Sequence, residues 1–95
     1  MLNMDSYPIP NSSVRGRQLD NEAVVVLPEK GEVKVLNEVG ARIWALADGS
    51  RSVREIAATI CAEYNVTQDE AEADTLSFIA DLAAKGMVAL SAHQL

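Results

Sequence analysis

The sequence of 95 residues has one cysteine and one histidine, and only 4% of its residues are aromatic. A single cysteine, Cys61, excludes an internal disulfide and fits a reducing compartment. One cysteine and one histidine cannot supply the ligands of a zinc site. His93 lies in the predicted tail and leaves no credible Cys–His or Ser–His pair for nucleophilic catalysis. We therefore expect no catalysis, metal or cofactor, and a core built from Val, Ile, Leu and Ala.

Three further features are missing from the sequence. The glycines are scattered singly, so there is no glycine-rich phosphate loop. No apolar run approaches membrane-spanning length, and the opening MLNMDSYPIP lacks the basic and apolar regions of a signal peptide. The expectation is a cytoplasmic protein with one domain and one modest core, without a membrane partner.

Basic residues are also few, with 8 Lys and Arg against 14 Asp and Glu and a net charge of −6. Phosphate contacts come mainly from Lys and Arg, so this balance weakens any case for nucleic-acid binding. Between Thr67 and Asp81 there are five acidic residues and no basic one. We therefore expect no nucleic-acid partner for the helix predicted there.

Three strands are predicted before the first helix. Val14–Leu19 is the first, and Asp20-Asn21 suits a two-residue hairpin turn. The continuous apolar run at residues 23–27 predicts the buried middle strand. After a turn at residues 28–31, residues 32–35 alternate polar and apolar, which is typical of a strand with one wet face. The first and third strands are then free edges, and a free edge can accept an added strand.

Three helices follow the strands. Asn37 is a good N-cap for the first, and the Ser52–Glu55 and Thr67–Glu70 segments are capping boxes for the other two. Gly40 lies early in the first helix, which suggests close approach to another backbone. Trp44 is interpreted as a core residue between helix and sheet rather than as a ligand-stacking one.

The two ends of the chain have no helical periodicity. Residues 1–13 are predicted to form a flexible, unattached arm, although Tyr7–Pro10 could dock on a surface. Residues 87–90 predict a short terminal strand or wing, followed by a tail at residues 91–95. The order strand, strand, strand, helix, helix, helix, wing predicts an α+β, winged-helix-like domain over residues 14–90.

The third helix, closed by Lys85-Gly86, has more apolar surface than one core requires. At about 100° per residue, its apolar residues span an arc of about 240°. The core-facing side comprises Ala71, Thr75, Phe78, Ile79 and Leu82. The solvent-exposed stripe, called the wet stripe below, comprises Asp74, Ser77, Asp81 and Lys85. The extra apolar surface comprises Ala73, Leu76, Ala80 and Ala83. Either the alanines are simply good helix formers, or this surface borders a groove beside the third strand. The pattern leaves both interpretations open.

Two long segments, LNEVGARIWALADGSRSVREIA and EYNVTQDEAEADTLSFIADLAAKGMV, follow the hairpin VVVLPEKGEVKVLN. Their distinctive features are Leu36-Asn37, Gly40, Ile43-Trp44, Asp48-Gly49, the Val53/Ile56 stripe, Tyr64, the Ala71/Asp74 stretch and Gly86. In the order and spacing of these features the chain resembles the PqqD family of small peptide-binding proteins, the stand-alone form of the leader-peptide recognition element in ribosomal peptide biosynthesis.

The resemblance implies that the leader of a precursor peptide binds as an added strand beside the third strand, in a groove lined by the third helix. It also implies a protein without activity of its own that delivers the peptide to a maturation enzyme. That enzyme is a radical S-adenosylmethionine enzyme in pyrroloquinoline quinone synthesis and a leader peptidase in lasso peptide pathways. With this resemblance the groove becomes the favoured interpretation of the apolar surface.

The resemblance also implies the residues of the site. The backbone ladder would come from Val33, Lys34, Val35 and Leu36, and the apolar contacts from Ala73, Leu76, Ala80 and Ala83. The leading hypothesis is a non-catalytic peptide chaperone. The alternatives are a winged-helix nucleic-acid-binding regulator and a homodimer formed through the same apolar surface.

Overall fold

The computed structural model describes residues 2–94; Met1 and Leu95, at the ends of the predicted arm and tail, lie outside the described residues. The strands are β1 (Tyr7–Pro10), β2 (Arg15–Leu19), β3 (Glu22–Leu27), β4 (Glu32–Leu36) and β5 (Val88–Ser91), and the helices are α1 (Glu38–Leu46), α2 (Val53–Tyr64) and α3 (Gln68–Ala84). Strands β2, β3 and β4 form an antiparallel sheet in that order, and β1 pairs with β5. The predicted class is confirmed: a three-stranded sheet, three helices and a terminal strand.

Two turns join the strands of the larger sheet. Asp20 adopts a left-handed φ of 55°, and Leu19 faces Glu22 across the predicted two-residue turn. The second turn is a 3₁₀ segment, Pro28–Lys30, that Gly31 ends with a φ of 64°. Both turns use residues that tolerate positive φ, as their sequence predicts.

One face of the sheet and all three helices enclose the core. Alternate residues of β3, namely Ala23, Val25 and Leu27, are buried against the helices. Helix α3 contributes four of its five predicted core residues as buried side chains, whereas Phe78 is only half-buried. The buried residues of α3 are Ala71, Thr75, Ile79 and Leu82. Within residues 2–94, no helix is both long enough and apolar enough to cross a membrane.

The helix ends follow the predicted caps, with one difference. The Asn37 side chain accepts a hydrogen bond from the Gly40 amide, and Ser52 and Glu55 form a complete capping box. At α3 the Thr67 hydroxyl accepts from the Glu70 amide at 3.1 Å, but the Glu70 carboxylate accepts from that hydroxyl rather than from the Thr67 backbone. The second predicted capping box is therefore only half formed.

The prediction of an unattached N-terminal arm differs from the structure. Tyr7–Pro10 is strand β1, which pairs with β5 in the register Tyr7 to Ser91 through Pro10 to Val88. The amides of Val53 and Arg54 donate to carbonyl oxygens of Ser6 and Met4, each at 2.9 Å. These donors belong to the first turn of α2 and have no partner within the helix, so the arm satisfies them. The arm therefore docks on the domain, which is the less favoured of the two interpretations of the sequence.

Candidate functional site

Strands β2 and β4 are the two edges of the larger sheet, and among residues 2–94 each pairs only with β3. In a two-residue hairpin the residues flanking the turn form a hydrogen-bonded pair, and such pairs then alternate along the ladder. Applied to the observed register, this alternation turns the backbone groups of Lys34 and Leu36 toward β3. The N–H and C=O groups of Val33 and Val35 therefore point outward from the free edge of β4.

The side chains of β4 alternate between the two faces of the sheet. Leu36 is buried in the core at 1% exposure, whereas Val33 and Val35 are 58% and 67% exposed. The predicted wet face is thus the valine face, and Lys34 shares the core-facing side with Leu36. An apolar face next to an unpaired backbone edge is favourable for contact with another chain.

Helix α3 runs alongside β4 in the opposite direction. Lys34 forms an ion pair with Asp81 near the middle of the strand. Just before the start of β4, the Lys30 side chain lies against Gly86, since a Cβ placed on that glycine would be 2.7 Å from the Lys30 ammonium nitrogen. Beyond the end of β4, Asn37 and Asp74 line the same cleft. The ion pair and the two neighbouring pairs that flank it follow one another in antiparallel order and place α3 beside β4.

A small cluster of charged residues links α3 to β4. The Lys34 ammonium nitrogen lies 5.8 Å from the centre of the Phe78 ring, within cation–π range. Asp81 accepts from Lys34 on one oxygen and from Lys85 on the other, the latter at 3.1 Å. The hydrogen bond from Lys34, and to a lesser extent the one from Lys85, holds the pKa of Asp81 below its ordinary value. Both lysines are therefore already paired with a carboxylate within the protein.

A cleft of about 280 Å³ opens between α1 and α3, just past the end of β4. Its lining residues are Asn37, Val39, Gly40, Ile43, Asp74 and Phe78. A Cβ on Gly40 would lie 3.1 Å from Cε1 of Phe78, so the glycine lets the two helices approach closely. The expected neighbour of Gly40 was a backbone; the neighbour found is the Phe78 ring.

The apolar residues predicted to form the groove wall lie elsewhere on α3. Ala73 and Ala80 are exposed, and Leu76 and Ala83 are half-buried beside the core. At 100° per residue, Leu76 is about 160° around the helix axis from Phe78, which contacts the β4 side. The helix therefore turns Asp74, Phe78 and Asp81 toward β4, not the predicted quartet.

A second cleft, of about 310 Å³, lies between the β2 edge and α1. Trp44 lines it together with Gly16, Arg17 and Gln18. A Cβ on Gly16 would lie 3.6 Å from the indole nitrogen, so the ring packs on the glycine backbone. Trp44 is half-buried against the core, which matches its predicted structural position while leaving one side open.

The sequence pattern predicts Asp74 and Asp81 in the solvent-exposed stripe of α3 and Phe78 in the core, whereas the structure directs all three toward β4. One sequence signal could have corrected this: Lys34 alternates with two valines and so shares the face of Leu36. A half-buried lysine on the core-facing side is favoured by an acidic partner nearby, and the stripe of α3 that carries Asp74 and Asp81 can supply one. Within residues 2–94, no group of three His, Cys, Asp or Glu side chains is placed to hold a metal.

Comparison with known families places most of this architecture in one group. Residues 22–88 match the family model described as coenzyme PQQ synthesis protein D (PqqD). A relative from Rhodopseudomonas palustris (strain HaA2), described as a PqqA binding protein, is 34% identical over 65 residues. The matched region covers 68% of this chain and 62% of that relative. The chain thus spans less than two thirds of the relative's length.

Two solved structures share the fold. TbiB1, determined in complex with the TbiA(beta) leader peptide, is 32% identical, with a TM-score of 0.77 over 84% of this chain and 93% of TbiB1. The PqqD truncation of Methylobacterium extorquens PqqCD, described as a functional, stand-alone recognition element, is 28% identical. Its TM-score is 0.71 over 86% of this chain and 87% of that one.

Proposed function

The chain belongs to the PqqD family, and we propose that it binds the leader of a ribosomally made precursor peptide as an added strand on β4. One observation carries this proposal: the free edge of β4 is unpaired and lies directly beside α3. Strand addition takes its affinity from main-chain hydrogen bonds and its selectivity from pockets for alternate side chains. The β4 edge supplies the first and the α1–α3 cleft supplies the second.

The choice of β4 over β2 follows from the side chains on each edge. Charged residues on an edge strand discourage pairing with another chain. Strand β2 carries Arg15 and Arg17, both exposed. On β4 the corresponding cation, Lys34, forms an ion pair with Asp81. The β4 residues whose backbone groups point outward are the exposed valines Val33 and Val35. The β4 edge is therefore the less protected of the two.

The peptide would contact a narrower set of residues than the sequence suggests. Val33 and Val35 offer outward N–H and C=O groups, while Lys34 and Leu36 hold the strand in place from the other side. Peptide side chains directed toward α3 would meet Phe78 and the cleft beyond it. Ala73, Leu76, Ala80 and Ala83 would take part only if the peptide continued around α3.

In this role the chain acts as a binding protein and not as an enzyme. The named relatives support it: one is a PqqA binding protein, and TbiB1 holds a leader peptide. Presentation to a radical S-adenosylmethionine enzyme or a leader peptidase would complete the role, with the chemistry left to that partner. Since a ribosomal precursor is made in the cytoplasm, a cytoplasmic location goes with this proposal.

The test uses proline at matched positions on the two edges. Val35→Pro removes an outward N–H from β4 without breaking a bond to β3, because that N–H takes no part in the ladder. Gln18→Pro does the same on β2. Peptides are selected on the wild-type protein from a random-sequence display library, and their affinities for both variants are measured by calorimetry.

We expect Val35→Pro to weaken the selected peptides by roughly tenfold or more, and Gln18→Pro to leave them unchanged. Thermal unfolding of both variants checks that the fold is retained. Equal binding to wild type and Val35→Pro, or loss of binding only in Gln18→Pro, would contradict strand addition on β4.

A further inference from the structure

We propose that the cleft at the end of β4 takes a lysine or arginine side chain of the bound peptide, with the Asp74 carboxylate as its partner. This inference rests on the proposed function, because the peptide must already lie along β4 to reach the cleft. It adds a charge preference at one position of the peptide, which strand addition alone does not require.

The cleft has the size and lining for one long side chain. Its volume of about 280 Å³ falls just below the range of about 300–1,000 Å³ typical of small-molecule pockets. Val39, Ile43 and Phe78 give it apolar walls, and Asp74 is the one charged residue in the lining. A lysine or arginine can lay its aliphatic stem on apolar walls while its charged end reaches a carboxylate.

Asp74 is the anion left unmatched on this side of α3. Among residues 2–94 its side chain has no hydrogen bond or ion pair. Asp81, two turns further along, is already bonded to Lys34 and Lys85. Two lysines around one carboxylate repel a third cation, so a basic peptide residue is favoured at the Asp74 end only.

The position of the cleft fixes which part of the peptide it serves. Asn37 follows the last residue of β4 directly and lines the cleft, while its side-chain oxygen caps α1. A peptide residue paired near the carboxyl end of β4 therefore places its side chain at Asp74 when that side chain points toward α3. The basic residue is expected at a single fixed position rather than spread along the peptide.

The test compares peptides selected from one random-sequence display library by three proteins. They are the wild type, Asp74→Arg, and Asp69→Arg as the control. Asp69 is exposed, lies about 180° from Phe78 around the helix axis, and undergoes the same change of charge. Thermal unfolding checks that each variant is folded, and the Val35→Pro variant identifies the peptides that use the β4 edge.

Among the edge-dependent peptides, we expect wild type and Asp69→Arg to enrich Lys or Arg at one position. Asp74→Arg is expected to enrich Asp or Glu at that same position and to bind the wild-type peptides roughly tenfold more weakly. Edge-dependent peptides with no charge preference, or with one unchanged in Asp74→Arg, overturn this inference and leave the proposed function standing. Selection of no edge-dependent peptide overturns the proposed function and this inference with it.

Discussion

The two edge strands of the three-stranded sheet, β2 and β4, have similar surroundings, but the charged residues beside them are of opposite sign. Each lies beside a cleft, of about 310 Å³ at β2 and about 280 Å³ at β4. The β2 cleft is lined by a cation, Arg17, and the β4 cleft by an anion, Asp74. An unpaired edge alone therefore does not identify a binding site, since this small domain has two of them.

The edges differ most in how firmly they are held. All five residues of β2 are exposed, whereas β4 buries Leu36 and is tied to α3 through Lys34 and Asp81. A strand that is already held in its bound geometry loses less conformational entropy when a partner adds to it. By this criterion β4 is better preorganised for an added strand than β2.

The largest expected effect concerns this difference in anchoring. Leu36→Ala removes a side chain that is 1% exposed, while Leu19→Ala removes one that is 47% exposed. We expect Leu36→Ala to lower the free energy of unfolding by about 2–5 kcal/mol and Leu19→Ala by less than about 1 kcal/mol. Urea unfolding measures both, and similar losses at the two positions would remove the contrast between the edges.

The next prediction separates the two flanks of α3. Phe78→Ala removes the ring beside β4, so we expect peptide affinity to fall by roughly tenfold. Leu76→Glu changes the opposite flank and is expected to alter the affinity by less than about twofold. If the peptide instead lies against the predicted groove wall of Ala73, Leu76, Ala80 and Ala83, Leu76→Glu is the change that abolishes binding. Calorimetry with the selected peptides decides between them, and loss of binding in Leu76→Glu alone would restore the predicted groove wall.

A third prediction tests whether the arginines protect the β2 edge. Replacing Arg15 and Arg17 together by valine removes the two exposed cations, so the edge becomes free to pair with a second copy. We expect the variant to self-associate at concentrations where the wild type sediments as a smaller species. A wild type already dimeric through β2 would show no such change and would argue against a protective role for the arginines.

The smallest expected effect is that of Asp81→Asn. The ion pairs of Asp81 are partly exposed, so their loss is expected to cost less than about 1 kcal/mol in unfolding free energy near neutral pH. Because bonding to Lys34 and Lys85 lowers the pKa of Asp81 in the folded state, this stabilisation is present above the unfolded-state pKa. It disappears as the pH falls through the folded-state value. Urea titrations at several pH values should show wild type and variant converging in acid, and a constant difference would contradict this.

Local signals explain why the fold was largely predictable. Asp20, Gly31, Asn37, Ser52 and Gly86 each form the turn or cap expected of them. The N-terminal arm was not predictable, because its anchoring depends on orphan amides at the start of α2, 47 positions away in the case of Ser6 and Val53. Nothing in the local pattern around Tyr7–Pro10 reports that distant partner.

The elements of the proposed site, one strand and one helix, could be predicted from the sequence. The edge character of the third strand followed from the meander, but the side of α3 that faces it did not. A helix with an apolar arc of about 240° can be rotated in several ways, and the extra apolar surface around Leu76 favours a different flank from the one that contacts Lys34. The rotation is set by pairwise contacts, namely Lys34 with Asp81 and Gly40 with Phe78, which periodicity does not contain.

Hydrogen exchange of the edge amides distinguishes strand addition on β4 from every other mode of peptide binding. Two-dimensional NMR of the labelled protein, with and without a saturating selected peptide, follows Val33 and Val35 on β4 and Gly16 and Gln18 on β2. We predict that the amides of Val33 and Val35 become strongly protected when the peptide binds, while those of Gly16 and Gln18 keep their exchange rates. Unchanged exchange at Val33 and Val35 in the peptide complex would contradict strand addition on β4.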